Sequence, residues 1–124
     1  MRSSKRVLLV DDDEMLRVSL ADQISAGGLY ETVEAKTYAE GLRRGQEGLY
    51  EFMVLDVGLP DGDGRELCRA LREEGVTCPI IILTAPDSDA DTIAGLKAGA
   101  NDYITKPFRF AVLMARVDAH LRSH

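Results

Sequence analysis

Tryptophan is absent from this chain, and only two cysteines, four prolines and three phenylalanines occur among its 124 residues. Cysteine this sparse excludes a disulfide scaffold. Cys68 and Cys78 lack C-x-x-C spacing and have no His or Cys at zinc-ligand intervals, so both read as small packing residues. No apolar run approaches the ~20 residues that cross a bilayer. The charged opening Met1-Arg2-Ser3-Ser4-Lys5-Arg6 leads into an apolar stretch too short for a secretory signal, so no membrane contact and a reduced, cytoplasmic setting are expected. Positive charge is short as well. Fifteen Lys and Arg stand against 21 Asp and Glu, a formal charge of -6 that argues against nucleic-acid binding by this segment alone.

What is present is a globular balance, 45% hydrophobic and 29% charged, which leaves collagen, coiled coil and disorder aside. A chain of this mass hides roughly two thirds of its unfolded surface, enough for one core without staples. A single domain, 1–124, is expected.

Five short runs recur with room for a helix between them: Val7-Leu8-Leu9-Val10, Thr32-Val33-Glu34-Ala35, Phe52-Met53-Val54-Leu55, Ile80-Ile81-Ile82-Leu83 and Asp102-Tyr103-Ile104-Thr105. The first, third and fourth are continuously apolar, as central parallel strands covered on both faces must be, whereas the second and fifth are more polar and read as edges. Between them the period becomes helical at Leu16, Leu20 and Ile24, at Leu67 and Leu71, at Ile93 and Leu96, and at Leu113, Val117 and Leu121. Thr37-Tyr38-Ala39-Glu40 and Ser88-Asp89-Ala90-Asp91 read as capping boxes, while Gly27-Gly28, Gly75 and Gly99 fall where helices should stop. The last helix begins near Phe108-Arg109-Phe110 without a good cap. Right-handed crossovers then require an α/β fold, a doubly wound five-stranded parallel sheet with helices on both faces.

In such a sheet the reactive loops lie beyond the carboxyl ends of the strands. Asp11, Asp12, Asp13 and Glu14 follow the first strand, Asp56 the third, Thr84 the fourth and Lys106 the fifth. Asp11, Asp12 and Asp56 would share one cleft, where each like-charge pair costs about 1–4 kcal/mol at 4 Å. Lys106 offsets part of that. A hard divalent ion with oxygen ligands offsets the rest, and few carboxylates with open water positions describe Mg2+ better than Ca2+. Such an ion beside a carboxylate, a hydroxyl and an ammonium makes a phosphoryl site with Asp56 as in-line nucleophile. Asp13 and Glu14 read as partners of the first helix's dipole rather than ligands. Asp61-Gly62-Asp63-Gly64 lacks the twelve-residue spacing of a calcium loop and reads as a turn. Tyr103 reads as edge packing, and His120 and His124 show no metal-ligand spacing.

The segments 7–12, 54–64, 83–85 and 99–108, with Val10-Asp11-Asp12, Leu55-Asp56 followed by Pro60-Asp61-Gly62, Leu83-Thr84-Ala85 and Tyr103-Ile104-Thr105-Lys106-Pro107-Phe108, together resemble the receiver domain of two-component response regulators. The likeness covers essentially the whole chain. It implies a flavodoxin-like strand order 2-1-3-4-5 and a phosphoacceptor switch in which Asp56 takes a phosphoryl group from a sensor histidine kinase or phosphotransfer protein. It further implies that Asp11, Asp12, Asp56 and the Gly58 carbonyl serve Mg2+, and that Thr84 and Lys106 grip the phosphoryl group. Tyr103 would be the aromatic switch and the Lys106-Pro107 bond would be cis. Gly58 and Pro86 depart from the family pattern, and both flank the approach of a hydrolytic water. The end of the chain resembles receivers joined to winged-helix DNA-binding domains. These form homodimers through the fourth helix, fifth strand and fifth helix; Asp102 and Arg116 match one cross-protomer ion pair, while Thr92 and Val112 replace another.

The alternative from the enzyme class is an Mg-dependent aspartyl-phosphate phosphatase acting on a small substrate. It would need a second Asp two residues after the nucleophile, where Gly58 stands. A flavin-binding module would need a phosphate cradle after the first strand, where four acids would repel an anion.

Overall fold

The computed structural model describes residues 5–85, 93 and 98–123. The elements are β1 (Lys5–Val10), α1 (Glu14–Ser25), β2 (Tyr30–Ala35), α2 (Tyr38–Gln46), β3 (Phe52–Asp56), β4 (Gly58–Leu59), β5 (Gly62–Asp63), α3 (Gly64–Glu73), β6 (Ile80–Thr84), β7 (Asp102–Thr105) and a last helix, here α4 (Phe110–Ser123). The long strands form one parallel sheet in the order β2-β1-β3-β6-β7, the expected order when only the five long strands are counted. The two-residue strands β4 and β5 pair antiparallel within the turn that follows β3.

Alternation along the central strands divides the core. Leu8, Val10, Met53, Leu55, Ile80 and Ile82 face one side, where Leu67, Cys68 and Leu71 of α3 cover them. Val7, Leu9, Phe52, Val54, Ile81 and Leu83 face the other, under Leu20, Ala21 and Ile24 of α1 and Leu113 and Val117 of α4. Each such side chain, fully buried, contributes about 1.5–3 kcal/mol relative to exposure. β3 and β6 are buried at every position, whereas β2 and β7 each bury one residue, as edge strands do.

Capping fixes where the helices begin. Asp13 caps α1 by accepting from the Leu16 amide at 3.1 Å, and Thr37 caps α2 by accepting from the Glu40 amide at 3.1 Å. Glu40 closes its half of the box one residue early, on the Lys36 amide at 2.8 Å. Gly75 and Gly99, two of the glycines read as helix stops, take positive φ angles of 96° and 105°, the left-handed conformation that glycine adopts without a Cβ penalty. The box at Ser88–Asp91, the stripe residue Leu96, and Pro86, Thr92 and His124 lie outside the described residues.

Candidate functional site

The parallel register carries the polar strand ends to one rim. β1 stops where its apolar run meets Asp11, which is only 4% exposed. Every polar group of Asp11 is engaged. Its amide donates to the Ala35 carbonyl at 3.1 Å, its carbonyl accepts from Arg17 Nη1 at 2.9 Å, Oδ1 accepts from the Asp13 amide at 2.9 Å and Oδ2 from Lys106 Nζ at 3.1 Å. Asp12, next along, is exposed. Asp56 ends β3, buried, with Oδ1 2.8 Å from Lys106 Nζ. One carboxylate oxygen from each of Asp11, Asp12 and Asp56 lies within 4.8 Å of the others.

Thr84 ends β6 on the strand beside Asp56, and its carbonyl accepts from the Lys106 amide at 2.7 Å. Its hydroxyl is buried and, among the described residues, makes no hydrogen bond. An unmatched buried hydroxyl normally costs about 1–3 kcal/mol. Lys106 follows β7, and the Lys106-Pro107 bond is cis as the resemblance implied.

Electrostatics match this crowding. Burial, and after it the charges of Asp11 and Asp12, push the Asp56 carboxyl above its ordinary 3.8, although the Lys106 hydrogen bond and charge pull the other way. At Lys106 burial disfavours the ammonium, but the hydrogen bond to Asp56 and the charges of Asp11 and Asp56 together outweigh it and raise the pKa above 10.5. Three carboxylates against one ammonium leave negative charge in excess. The donors are all oxygens, few in number and open to water at Asp12, a set that fits a hard cation such as Mg2+.

The turn after Asp56 is held at several points. The Val57 amide donates to Leu83 O at 3.0 Å, the Gly64 amide to Val57 O at 2.9 Å, and Asp61 reaches across to accept from the Tyr38 and Ala39 amides at 2.6 and 3.1 Å. Those two bonds, larger than the opposing burial, pull the Asp61 carboxyl below its usual range. Asp63 caps α3 on the Arg65 amide at 2.8 Å and pairs with the Arg65 guanidinium. The turn reading of this segment therefore stands, with two caps added. Gly64 has no room for a side chain: a Cβ there would lie 2.0 Å from the Asp56 carbonyl oxygen. At Gly58 a Cβ would come 3.9 Å from Asp56 Oδ2, so glycine leaves that flank of the carboxylate open.

Asp11, Asp12, Asp56, Gly58, Thr84 and Lys106 thus gather on one rim. Tyr103 lies on β7, half-buried against the core layer that contains Ile80 and Ile82. Sequence reasoning missed the parts played by three polar residues, Arg17, His120 and Arg72. Arg17 sits on the buried stripe of α1 with Leu20, Ala21 and Ile24, and the signal was a charge at an apolar position of the helical period. His120 Nε2 lies 3.0 Å from Asp102 Oδ2, and Arg116 Nη1 lies 3.3 Å from the same carboxylate. The Asp102–Arg116 pair expected between protomers is formed here within one chain. Arg72, on α3, clasps the loops at the opposite rim, and no local pattern announces it.

Residues 7–118 match the family described as response regulator receiver domain. Response regulator MprA of Mycobacterium ulcerans (strain Agy99) is 46% identical over 120 residues, covering 96% of this chain and 51% of that protein. The alkaline phosphatase synthesis transcriptional regulatory protein PhoP of Bacillus subtilis (strain 168) is 40% identical over 119 residues, 96% of this chain and 49% of its own length. The chain therefore spans about half the length of the curated relatives it matches. Among solved structures, the receiver domain of the Francisella response regulator 1452 superposes with a TM-score of 0.87 at 33% identity, covering 97% of this chain and 98% of that one.

Proposed function

Since the chain belongs to the response regulator receiver family of two-component systems, we propose that Asp56 is its phosphoacceptor and that residues 1–124 form one receiver domain. The observation that carries this is the gathering of Asp11, Asp12, Asp56 and Lys106 at one rim beside a buried Thr84 hydroxyl with no partner among the described residues. Asp56 Oδ attacks phosphorus in line, the bond from phosphorus to the donor's histidine nitrogen breaks, and its electron pair leaves with the imidazole. Asp56 becomes an acyl phosphate. Lys106, already bonded to Asp56 Oδ1, keeps the nucleophile ionised and then meets a phosphoryl oxygen, while the Thr84 hydroxyl donates to another. Mg2+, held by Asp11, Asp12 and Asp56 with the Gly58 carbonyl, would supply charge neutralisation for the transferred group.

The partner is a sensor histidine kinase or phosphotransfer protein, and the setting is cytoplasmic. Among the described residues no helix is long and apolar enough to cross a membrane. A phosphatase acting on small substrates is not favoured, because Gly58 offers no acid or base for a leaving group. The modified rim biases β7 and α4, with Tyr103 moving as Thr84 is drawn toward the phosphoryl group, and the output is a homodimer through that surface or control of an attached domain. Autodephosphorylation, with Gly58 leaving the acyl phosphate open to water, belongs to the same reading.

Incubation with a small acyl phosphate and Mg2+ should add one phosphoryl group by intact-mass spectrometry, and Asp56→Asn should add none. Equal labelling of Asp56→Asn would overturn the assignment. Sedimentation with and without a phosphoryl mimic reads the output, and Arg116→Ala should weaken any dimer that forms.

A further inference from the structure

Helix α1 buries a charge where its neighbours bury hydrocarbon. Leu20, Ala21 and Ile24 line its sheet-facing stripe, and the stripe opens with Arg17, 4% exposed. Withdrawing a guanidinium from water costs several kcal/mol unless its donors are met, so filling the core does not explain it. A methionine would occupy similar space without that cost.

Its donors converge on one corner. Nε bonds Glu34 Oε1 on β2 at 2.8 Å, Nη1 bonds the Asp11 carbonyl at 2.9 Å, and Nη2 stands 3.8 Å from Glu14 Oε1. The Asp11 carbonyl belongs to the planar peptide unit that also contains the Asp12 nitrogen and ends at the Asp12 Cα. Gripping that oxygen therefore fixes the rotation of the plane, and with it the directions from which both Asp11 and Asp12 send out their carboxylates. The Asp11 amide is tied to Ala35 O at 3.1 Å on the same edge strand, so the corner is anchored to β2 from both sides. A planar fork with fixed angles can hold a carboxylate and a carbonyl at once, whereas an ammonium acts as a point charge.

We propose that Arg17 is a positioning residue for the acidic site, fixing the Asp11–Asp12 peptide plane against Glu34 so that the two carboxylates stand where a divalent cation can use them. The inference rests on the reading of that cluster as a metal-assisted phosphoryl site. Its test turns on a sign. Arg17 is itself a cation near the cluster, so removing its charge alone would tighten Mg2+ binding, whereas releasing the peptide plane weakens it.

Calorimetric titration with MgCl2, on chains shown by cooperative melting to be folded, should find Arg17→Met about tenfold weaker than wild type, the lower end for residues behind a ligand. Arg17→Lys should remain weak because it restores charge without the fork. Glu34 is more exposed than Arg17 and gives a gentler variant if Arg17→Met does not fold: Glu34→Ala should weaken Mg2+ binding, and Glu34→Gln, which keeps an acceptor for Nε, should recover most of it. In the metal-free chains, hydrogen exchange at the Asp13 amide, which bonds Asp11 Oδ1, should quicken in the same order. Unchanged or tighter Mg2+ binding in Arg17→Met or Glu34→Ala, beside a wild type that binds, overturns this inference alone. A wild type that binds no Mg2+ overturns it together with the proposed function.

Discussion

The two rims of the sheet treat polar groups in opposite ways. At the amino ends of the strands they are matched: Arg72 donates to the carbonyls of Gly99, Val76 and Cys78 at 3.0, 3.0 and 2.7 Å and to Asn101 Oδ1 at 2.8 Å, and the same oxygen takes the Ile80 amide at 2.9 Å. Close by, the Tyr50 hydroxyl donates to Arg44 O at 2.8 Å and accepts from Arg6, whose guanidinium stands 4.7 Å above the ring. Arg44 Nε is the buried exception there. At the carboxyl ends three acids face one ammonium, which pairs with Asp11 and Asp56, and among the described residues the Thr84 hydroxyl has no partner. One rim closes the fold. The other keeps an excess of negative charge among its described residues, which is how a site departs from the rules its scaffold obeys.

Gly64→Ala should give the largest effect, because it forces the turn behind Asp56 away from that residue's carbonyl. Urea denaturation should show a loss of about 3 kcal/mol, and phosphoryl uptake should fall with it. Arg72→Ala comes next, losing about 2–3 kcal/mol as several acceptors go unmet. Its Mg2+-induced rise in melting temperature should equal that of wild type; a changed increment would mean that the rims are coupled and would break the contrast. Asp12→Ala should reverse the usual sign. The metal-free protein should gain up to about 1 kcal/mol by relief of repulsion, and the Mg2+ increment seen by thermal melting should shrink sharply, since an ion stabilises only the site it binds.

The smallest effect is in pH dependence. Burial opposes ionisation of Asp102, but hydrogen bonds from His120, the Tyr103 amide and Arg116 outweigh it and leave the carboxyl below 3.8. The unfolded chain therefore binds the proton more readily, and the stabilisation from Asp102 is present above pH 3.8 and fades as pH falls through its lower folded value. Asp56 runs the other way: its raised pKa means that metal-free stability declines as pH climbs from 3.8 through the folded value. Chemical denaturation across the acid range should thus find Asp102→Asn weaker than wild type only above this region, and Asp56→Asn gaining on wild type as pH rises.

The sheet was legible because its central strands are apolar without interruption and its edges are not, and the rim because four strand ends carry compatible chemistry. Gly64 was read only as part of a turn, since its necessity comes from the Asp56 carbonyl, eight positions back in the chain. Arg17 was visible in principle as a charge within an apolar stripe, yet its partners, Glu34 and the Asp11 carbonyl, lie on two strands and leave no local spacing. His120 was set aside for want of ligand spacing, because its partner Asp102 is on β7, across the packing of α4 on the sheet. Asp61 shows the same limit: capping by a residue from another loop has no sequence signature at the helix it caps.

Burial pushes both thiols, Cys68 and Cys78, up to about 11. Near neutral pH both are mostly protonated, which slows alkylating reagents that need a thiolate. Cys68 is buried and Cys78 half-buried, so a well-exposed introduced cysteine should be labelled ahead of both. Val112, 43% exposed in the groove it shares with Tyr103, accepts a dye through Val112→Cys beside the element proposed to move. Leu49, 92% exposed at the matched rim, takes the same dye as a stationary reference.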